Sequence, residues 1–243
     1  MKFTNGYWLL RDDVQANYAA AAESVACTEA GMTIYANTRR IQHRGDTLSS
    51  ALLTVQVSAP IENVIRVRLS HFDGGVEKTP AFAIAQADGP VGAPTIDGDN
   101  ATFTSGNLAL HVERNAPWNM EFRAGDRLLT ASRTKAMGAL RKAGKPYMHE
   151  QLLLSVGEMV YGLGERFSAF VKNGQSVDIW NQDGGTSSEQ TYKNIPFYIT
   201  NRGYGVFIND PGDVSLEVAS ERVSRVQFSV PGEVLEYFVI YGP

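Results

Sequence analysis

The stretch Trp180-Asn181-Gln182-Asp183-Gly184-Gly185-Thr186 joins an aromatic ring, two amides, a carboxylate, a double glycine and a hydroxyl. Carboxylates and amides together accept and donate hydrogen bonds, as sugar hydroxyls demand, and an aromatic face covers the apolar side of a pyranose. Glycine lets backbone approach a ligand closely. Such a stretch can touch a carbohydrate. The structural alternative is a plain turn in which Asp183 caps its own backbone and Trp180 belongs to the core. Asp178, Asp183 and Glu189 crowd the same region. A retaining glycosidase needs two carboxyls about 5–5.5 Å apart. Three carboxylates in one short polar stretch read more simply as solvated loop groups than as a tuned pair.

Other constellations are incomplete. There is no HExxH, no GxSxG elbow and no Walker loop. Gly162-Leu163-Gly164-Glu165-Arg166-Phe167 starts like a dinucleotide finger but has Phe167 where the third glycine belongs. It also lacks the βαβ context that gives the motif its mechanism. Glu165 and Arg166 read as a structural charge pair beside a glycine-formed turn. His43, His71, His111 and His149 match no metal-ligand spacing. His111 falls on the outward face of an alternating strand, and His149 with Glu150 reads as a strand-edge pair. A mutarotase-type site would need a histidine and a carboxylate converging on one sugar. The one cysteine, Cys27, cannot form an internal disulfide. It reads as a small buried apolar residue, and the missing disulfides fit a reducing cytoplasm.

The elements that must position these residues are strands. Val64 to Ser70 alternates Ile65, Val67 and Leu69 with Arg66, Arg68 and Ser70. Ser50 to Ser58 and Leu108 to Glu113 repeat the pattern. Period two with one polar face marks half-buried antiparallel strands. Pro196 to Thr200, Tyr204 to Asn209, Val214 to Val218, Val223 to Val230 and Val234 to Tyr241 are short, β-branched and aromatic. Asn201-Arg202-Gly203 and Pro211-Gly212-Asp213 punctuate them with turn residues. Regular spacing of this kind predicts a sandwich. Phe72 to Asn100 reads as irregular. Arg133 to Lys145, with five basic residues and few large apolar ones, reads as a solvated loop.

Bulk properties bound the rest. A chain of 243 residues, 43% apolar and 20% charged, is ordinary for a globular protein and needs no disulfide staples. A net charge of −4 repels phosphate backbones, so nucleic acid is not an expected partner. No stretch approaches the roughly 20 apolar residues of a membrane span, and the N-terminal apolar run is too short for a signal peptide. The strand-like LEYFVIYGP run stops just after its turn signal, a hint of truncation.

Several motifs now stand in register. They are Tyr161-Gly-Leu-Gly-Glu-Arg-Phe167, Val171-Lys-Asn-Gly-Gln175, Trp180 to Thr186, Tyr192-Lys-Asn-Ile-Pro-Phe-Tyr198, Asn201-Arg-Gly-Tyr-Gly-Val206 and Leu235-Glu-Tyr-Phe-Val-Ile240. Fainter echoes occur at Trp8-Leu9, Val67-Arg68, His71-Phe72 and Ser105 to Leu108. The series resembles the N-terminal domain of bacterial α-xylosidases in glycoside hydrolase family 31. That resemblance implies an all-β, antiparallel β-sandwich related to galactose mutarotase, filling residues 1–243 as a single domain. A catalytic (β/α)₈ barrel is then expected after residue 243. It implies a retaining hydrolase of α-xylosides or α-glucosides without a metal or organic cofactor. Both catalytic aspartates belong to the barrel, so no catalytic residue is expected here. Asp183, with Thr186 beside it, matches the position that contacts sugar on the aglycone side. The implied partners are a carbohydrate and the chain's own barrel, with self-association of the fragment a further expectation. The rival readings are a free-standing carbohydrate-binding module and a mutarotase-like epimerase.

Overall fold

The structure, a computed structural model, describes residues 1–6, 9–29, 31–48, 50–76, 78–80, 83–182 and 190–242. In chain order the strands are β1 (Thr4–Asn5), β2 (Leu9–Leu10), β3 (Val14–Tyr18), β4 (Ala21–Thr28), β5 (Gly31–Asn37), β6 (Leu52–Ser58) and β7 (Val64–Ser70). Next come β8 (Ala93–Asp97), β9 (Asn100–Ser105), β10 (Leu108–Glu113), β11 (Met120–Ala124), β12 (Arg127–Ser132), β13 (Gly138–Lys142) and β14 (Lys145–Leu153). The last are β15 (Val160–Gly162), β16 (Gln175–Ile179), β17 (Phe197–Thr200), β18 (Tyr204–Ile208), β19 (Val214–Val218), β20 (Arg225–Pro231) and β21 (Val234–Tyr241). A single 3-10 turn, Arg44–Thr47, is the only helical element among the described residues.

The strands form two antiparallel sheets and a small β1–β2 hairpin. The first sheet runs β16-β19-β20-β14-β12-β11-β10-β9-β8, with β13 and β3 branching from β14. The second runs β15-β17-β18-β21-β7-β6-β5-β4. Their inner faces meet in one apolar core that holds Phe103, Trp118, Phe122, Phe228, Tyr198 and Tyr237 beside Ile34, Leu53, Ile65 and Leu69. Phe228 and Tyr237 meet edge to face across the sandwich, centroids 5.2 Å apart. The alternation in β7 works as expected: Ile65, Val67 and Leu69 are inside, while Arg66 ion-pairs with Glu236 of β21 outside.

Three expectations need correction. Arg133 to Lys145 is not a solvated loop. Its centre is β13, paired with β14 on one side and β3 on the other. Met137 and Ala139 enter the main core, and Leu140 joins a second cluster with Phe3 and Val14 on the outer face. The small residues permit this, since a Cβ on Gly138 would lie 2.8 Å from the Asn17 carbonyl. The Phe72 to Asn100 stretch contains β8, an exposed edge strand. Cys27 is exposed rather than buried, because β4 is the last strand of its sheet.

Candidate functional site

β16 and β15 are edge strands of the two sheets, joined by Arg166, and the segments around them carry the exposed rings Phe167, Phe170, Trp180 and Tyr192. Ladder pairing stops at Ile179 of β16 and resumes at Phe197 of β17. Between them, Gln182 donates its backbone N–H to the Thr191 carbonyl at 3.1 Å and so joins the stretches on either side of residues 183–189. The Asn194 side chain strengthens that join. Its Nδ2 donates to the Trp180 carbonyl at 2.8 Å and the Thr191 carbonyl at 2.8 Å, with Asn181 Oδ1 at 3.1 Å. Arg166 ties in a third segment: its guanidinium donates to Leu163 O at 3.1 Å, to Asp178 O at 2.7 Å and to Asn194 Oδ1.

The backbone under Arg166 is unusual. Gly162, Leu163 and Gly164 have φ of 103°, 68° and 87°. A leucine at positive φ is strained and persists only where its surroundings over-determine it. Here the Leu163 side chain is fully buried and its N–H donates to Phe197 O at 2.9 Å. Gly164 comes so close to the facing stem that a Cβ would lie 2.2 Å from Lys193 O. Glu165 does not pair with Arg166. Its carboxylate meets Lys193 at 3.1 Å, and Arg166 serves backbone carbonyls and an amide instead. Both residues are structural, but as separate ties.

The segments that this network joins expose a set of rings and apolar side chains: Phe167, Phe170, Trp180, Tyr192 and Ile195. Trp180 is 48% exposed, so it does not belong to the core. Asp183, Thr186 and Glu189 lie outside the described residues. Asp178 projects from β16 and accepts a hydrogen bond from Ser215 Oγ at 2.5 Å. Asn194 was the residue that sequence reasoning missed. Its signal was an amide before the Ile195-Pro196 step, where irregular backbone must find side-chain partners.

The histidines are dispersed. His43 caps the 3-10 turn, His71 faces Glu233 at 2.7 Å, and His111 bonds Thr102 Oγ1 at 2.8 Å. His149 and Glu150 are not a strand-edge pair. Both are fully buried, on opposite faces of β14, because β14 is interior to its sheet and covered on both sides. His149 lies on the outer face under Phe3 and Tyr18, ring centroids 5.4 and 6.0 Å away. Burial, with Arg222 and other nearby positive charge, lowers its pKa to about 3. Its Nε2 faces the Gln151 amide at 3.1 Å. The outer face continues through Gln227 and Glu217, and Met1 and Glu221 fold over it.

Glu150 points into the core. It accepts from Tyr237 Oη at 3.2 Å and from the Gln151 N–H at 2.8 Å. Burial raises its pKa to about 7 against these bonds. Nearby, Tyr204 Oη donates to Glu158 at 2.6 Å, and the buried Tyr198 hydroxyl has no partner among the described residues. This buried polar group was legible only as a glutamate in phase with Met148 and Leu152.

Comparison with known proteins places this geometry. A family model described as the glycosyl hydrolase 31 N-terminal galactose mutarotase-like domain matches residues 54–217. The α-xylosidase XylQ of Lactiplantibacillus pentosus is 47% identical over all of this chain and 32% of its own length. An α-xylosidase of Emericella nidulans is 42% identical over all of this chain and 34% of its own. The chain thus spans about a third of the length of these curated relatives. Among solved structures, a cycloalternan-forming enzyme from Listeria monocytogenes in complex with a pentasaccharide superposes with a TM-score of 0.75. The overlap covers 94% of this chain and 21% of that one, at 19% identity. A family 31 α-xylosidase from a soil metagenome, complexed with xylose, gives 0.67 over 90% of this chain and 32% of that one, at 14% identity. At these identities the two structures speak for the fold alone. The chain belongs to the N-terminal galactose mutarotase-like domain family of glycosyl hydrolase 31.

Proposed function

We propose that the chain is the accessory domain of an α-xylosidase-like retaining hydrolase, and that its aromatic end walls the leaving-group side of that enzyme's sugar site. The observation that carries this is identity of 47% and 42% to two α-xylosidases along the whole chain, each about three times as long. In this reading the catalytic carboxylates lie downstream, in a (β/α)₈ barrel on which the sandwich packs. Asp183 and Thr186 offer polar contacts to the departing sugar, and no metal or organic cofactor takes part. The exposed free thiol of Cys27, whose pKa is raised by partial burial, suits a reducing cytoplasm.

A carboxylate that bonds the departing sugar contributes binding and orientation, not bond cleavage. Its loss costs about ten- to hundred-fold in kcat/KM. Asp183→Ala in the full-length polypeptide is therefore expected to impair a xylosyl disaccharide and to spare an aryl xyloside, whose leaving group has few hydroxyls. The measurement is the ratio of kcat/KM for the two substrates. An equal loss on both, or none on either, rejects the aglycone contact. The exposed rings favour one further reading, a carbohydrate-binding module, which would show as glycan affinity of the isolated chain.

A further inference from the structure

We propose that Arg166 and Asn194 are positioning residues that hold Trp180 and Tyr192 in place on the sugar-facing end. This inference rests on the sugar-contact reading above. Three chain segments converge there: 163–166 after β15, 178–182 at the end of β16, and 190–194 before β17. Sheet pairing ends at Gly162 before the first, at Ile179 within the second, and begins again only at Phe197 after the third. Backbone ties remain, from Glu165 N–H to Lys193 O at 3.1 Å and from Gln182 N–H to Thr191 O at 3.1 Å. Besides the Lys193–Glu165 ion pair and a bond from Gln190 Nε2 to Gln182 Oε1 at 3.3 Å, Asn194 and Arg166 make the other side-chain joins. Asn194 donates to one stem at Trp180 O and to its own at Thr191 O, and its backbone N–H adds a bond to Asn181 Oδ1 at 3.2 Å. Its oxygen accepts from Arg166, whose planar fork also reaches Asp178 O and Leu163 O.

The chemistry is specific to these residue types. An asparagine presents donor and acceptor on one planar group, so it can bridge carbonyls and a guanidinium together. A lysine in place of Arg166 is a point charge and cannot span acceptors as a guanidinium does. Both residues sit at the rim and are only half-buried. The core beneath is closed without them by Leu163, Val177, Ile179 and Tyr198. Their bonds therefore bear on where the exposed Trp180 and Tyr192 rings stand more than on whether the sandwich forms. Ring placement matters because a small misplacement of a binding group costs orientation at the reacting bond.

The clamp is tested by hydrogen exchange on the 243-residue chain. Asn194→Ala and Asn194→Asp should speed exchange at the Gln182 amide about ten-fold, as expected for loss of one to two net hydrogen bonds. The β14 amides from Met148 to Leu152 should be unchanged. Asn194→Asp is informative because it keeps the oxygen facing Arg166 and loses the donors. Arg166→Lys, a second route to the same loss, should behave alike. The positioning role is tested in the full-length polypeptide beside Asp183→Ala. Each clamp variant should lower the disaccharide to aryl xyloside ratio of kcat/KM about five- to ten-fold, chiefly through KM. If Asp183→Ala changes the ratio and the clamp variants do not, the positioning role is overturned and the sugar contact stands. If none changes it, both fall. Faster exchange throughout β14 in both Asn194→Ala and Arg166→Lys would mark the pair as a stability element and overturn the inference.

Discussion

Glu150 and His149 are neighbours with opposite pH behaviour. The folded chain holds the Glu150 proton up to about pH 7, whereas an exposed glutamate loses it near 4.5. Stability from this group is therefore fully present below 4.5 and is lost as pH rises through 7. For His149 the folded pKa is depressed, from 6.5 to about 3. Its contribution is present above 6.5 and is lost as pH falls through 3. Between 4.5 and 6.5 the two slopes oppose each other, and above 6.5 the Glu150 penalty stands alone. Glu150→Gln keeps a neutral group beside Tyr237 at every pH. It should be close to wild type in urea unfolding at pH 4.5 and more stable than wild type at pH 8. An unchanged difference at both pH values would show that Glu150 is not the buried proton acceptor. Glu150 reaches across the core to Tyr237 of β21 in the opposite sheet, and buried Glu158, in the connection between β14 and β15, accepts from Tyr204 of β18. Buried polar groups of this kind cost stability when left unpaired, roughly 1–3 kcal/mol each, so pairing across the core favours one alignment of the two sheets.

At the scale of elements, the turn after β15 carries the strain that presents Arg166. Gly164 needs its positive φ and also close approach to the 190–194 stem. Gly144, in the β13–β14 turn, has φ of 79° but open space around an added Cβ. Gly164→Ala should therefore destabilise the chain by more than the roughly 1 kcal/mol expected from positive φ alone, and Gly144→Ala by about that amount. Thermal unfolding of the two variants separates the terms. Equal shifts would mean that the contact with Lys193 O is relieved at no cost. The same turn links site and core, because Leu163 is anchored among the buried residues and its carbonyl receives Arg166.

At the scale of the molecule, one end of the sandwich presents Phe167, Phe170, Trp180, Tyr192 and Ile195 to solvent. An exposed apolar patch of several hundred Å² favours association. The isolated chain is expected to fold as a β-rich protein, to release no p-nitrophenol from the aryl α-xyloside, and to self-associate through this end. Phe170, 78% exposed, is the most open ring. Phe170→Ser should shift sedimentation toward the monomer without changing the circular dichroism spectrum. Self-association that survives this change would point to another surface, such as the open β4 edge. Turnover that survives repurification and is lost with Asp178→Ala would place chemistry in this chain.

The strands and the family motifs were legible in the sequence, because period-two alternation and turn residues are local signals. Leu52 to Ser58, Val64 to Ser70, Leu108 to Glu113 and the strands from Phe197 to Tyr241 stand close to where the pattern placed them. Val223 is the exception: it is exposed in a turn, and the strand begins at Arg225. Tertiary structure alone decided the rest. The run Gly138 to Lys142 carries too few large apolar residues to read as an interior strand, yet β3, over a hundred residues earlier in the chain, pairs with it and buries it. Gln227, Glu217 and His149 alternate as a polar outer face should, but that face is covered because Met1 to Thr4 fold across it. Glu221 accepts the Phe3 N–H at 3.0 Å and the Thr4 N–H at 2.6 Å. Alternation reports which face a residue points to. What covers that face depends on segments distant in sequence, which no local pattern encodes. The same reason hid Asn194, whose partners are brought to it only by the convergence of two sheet edges.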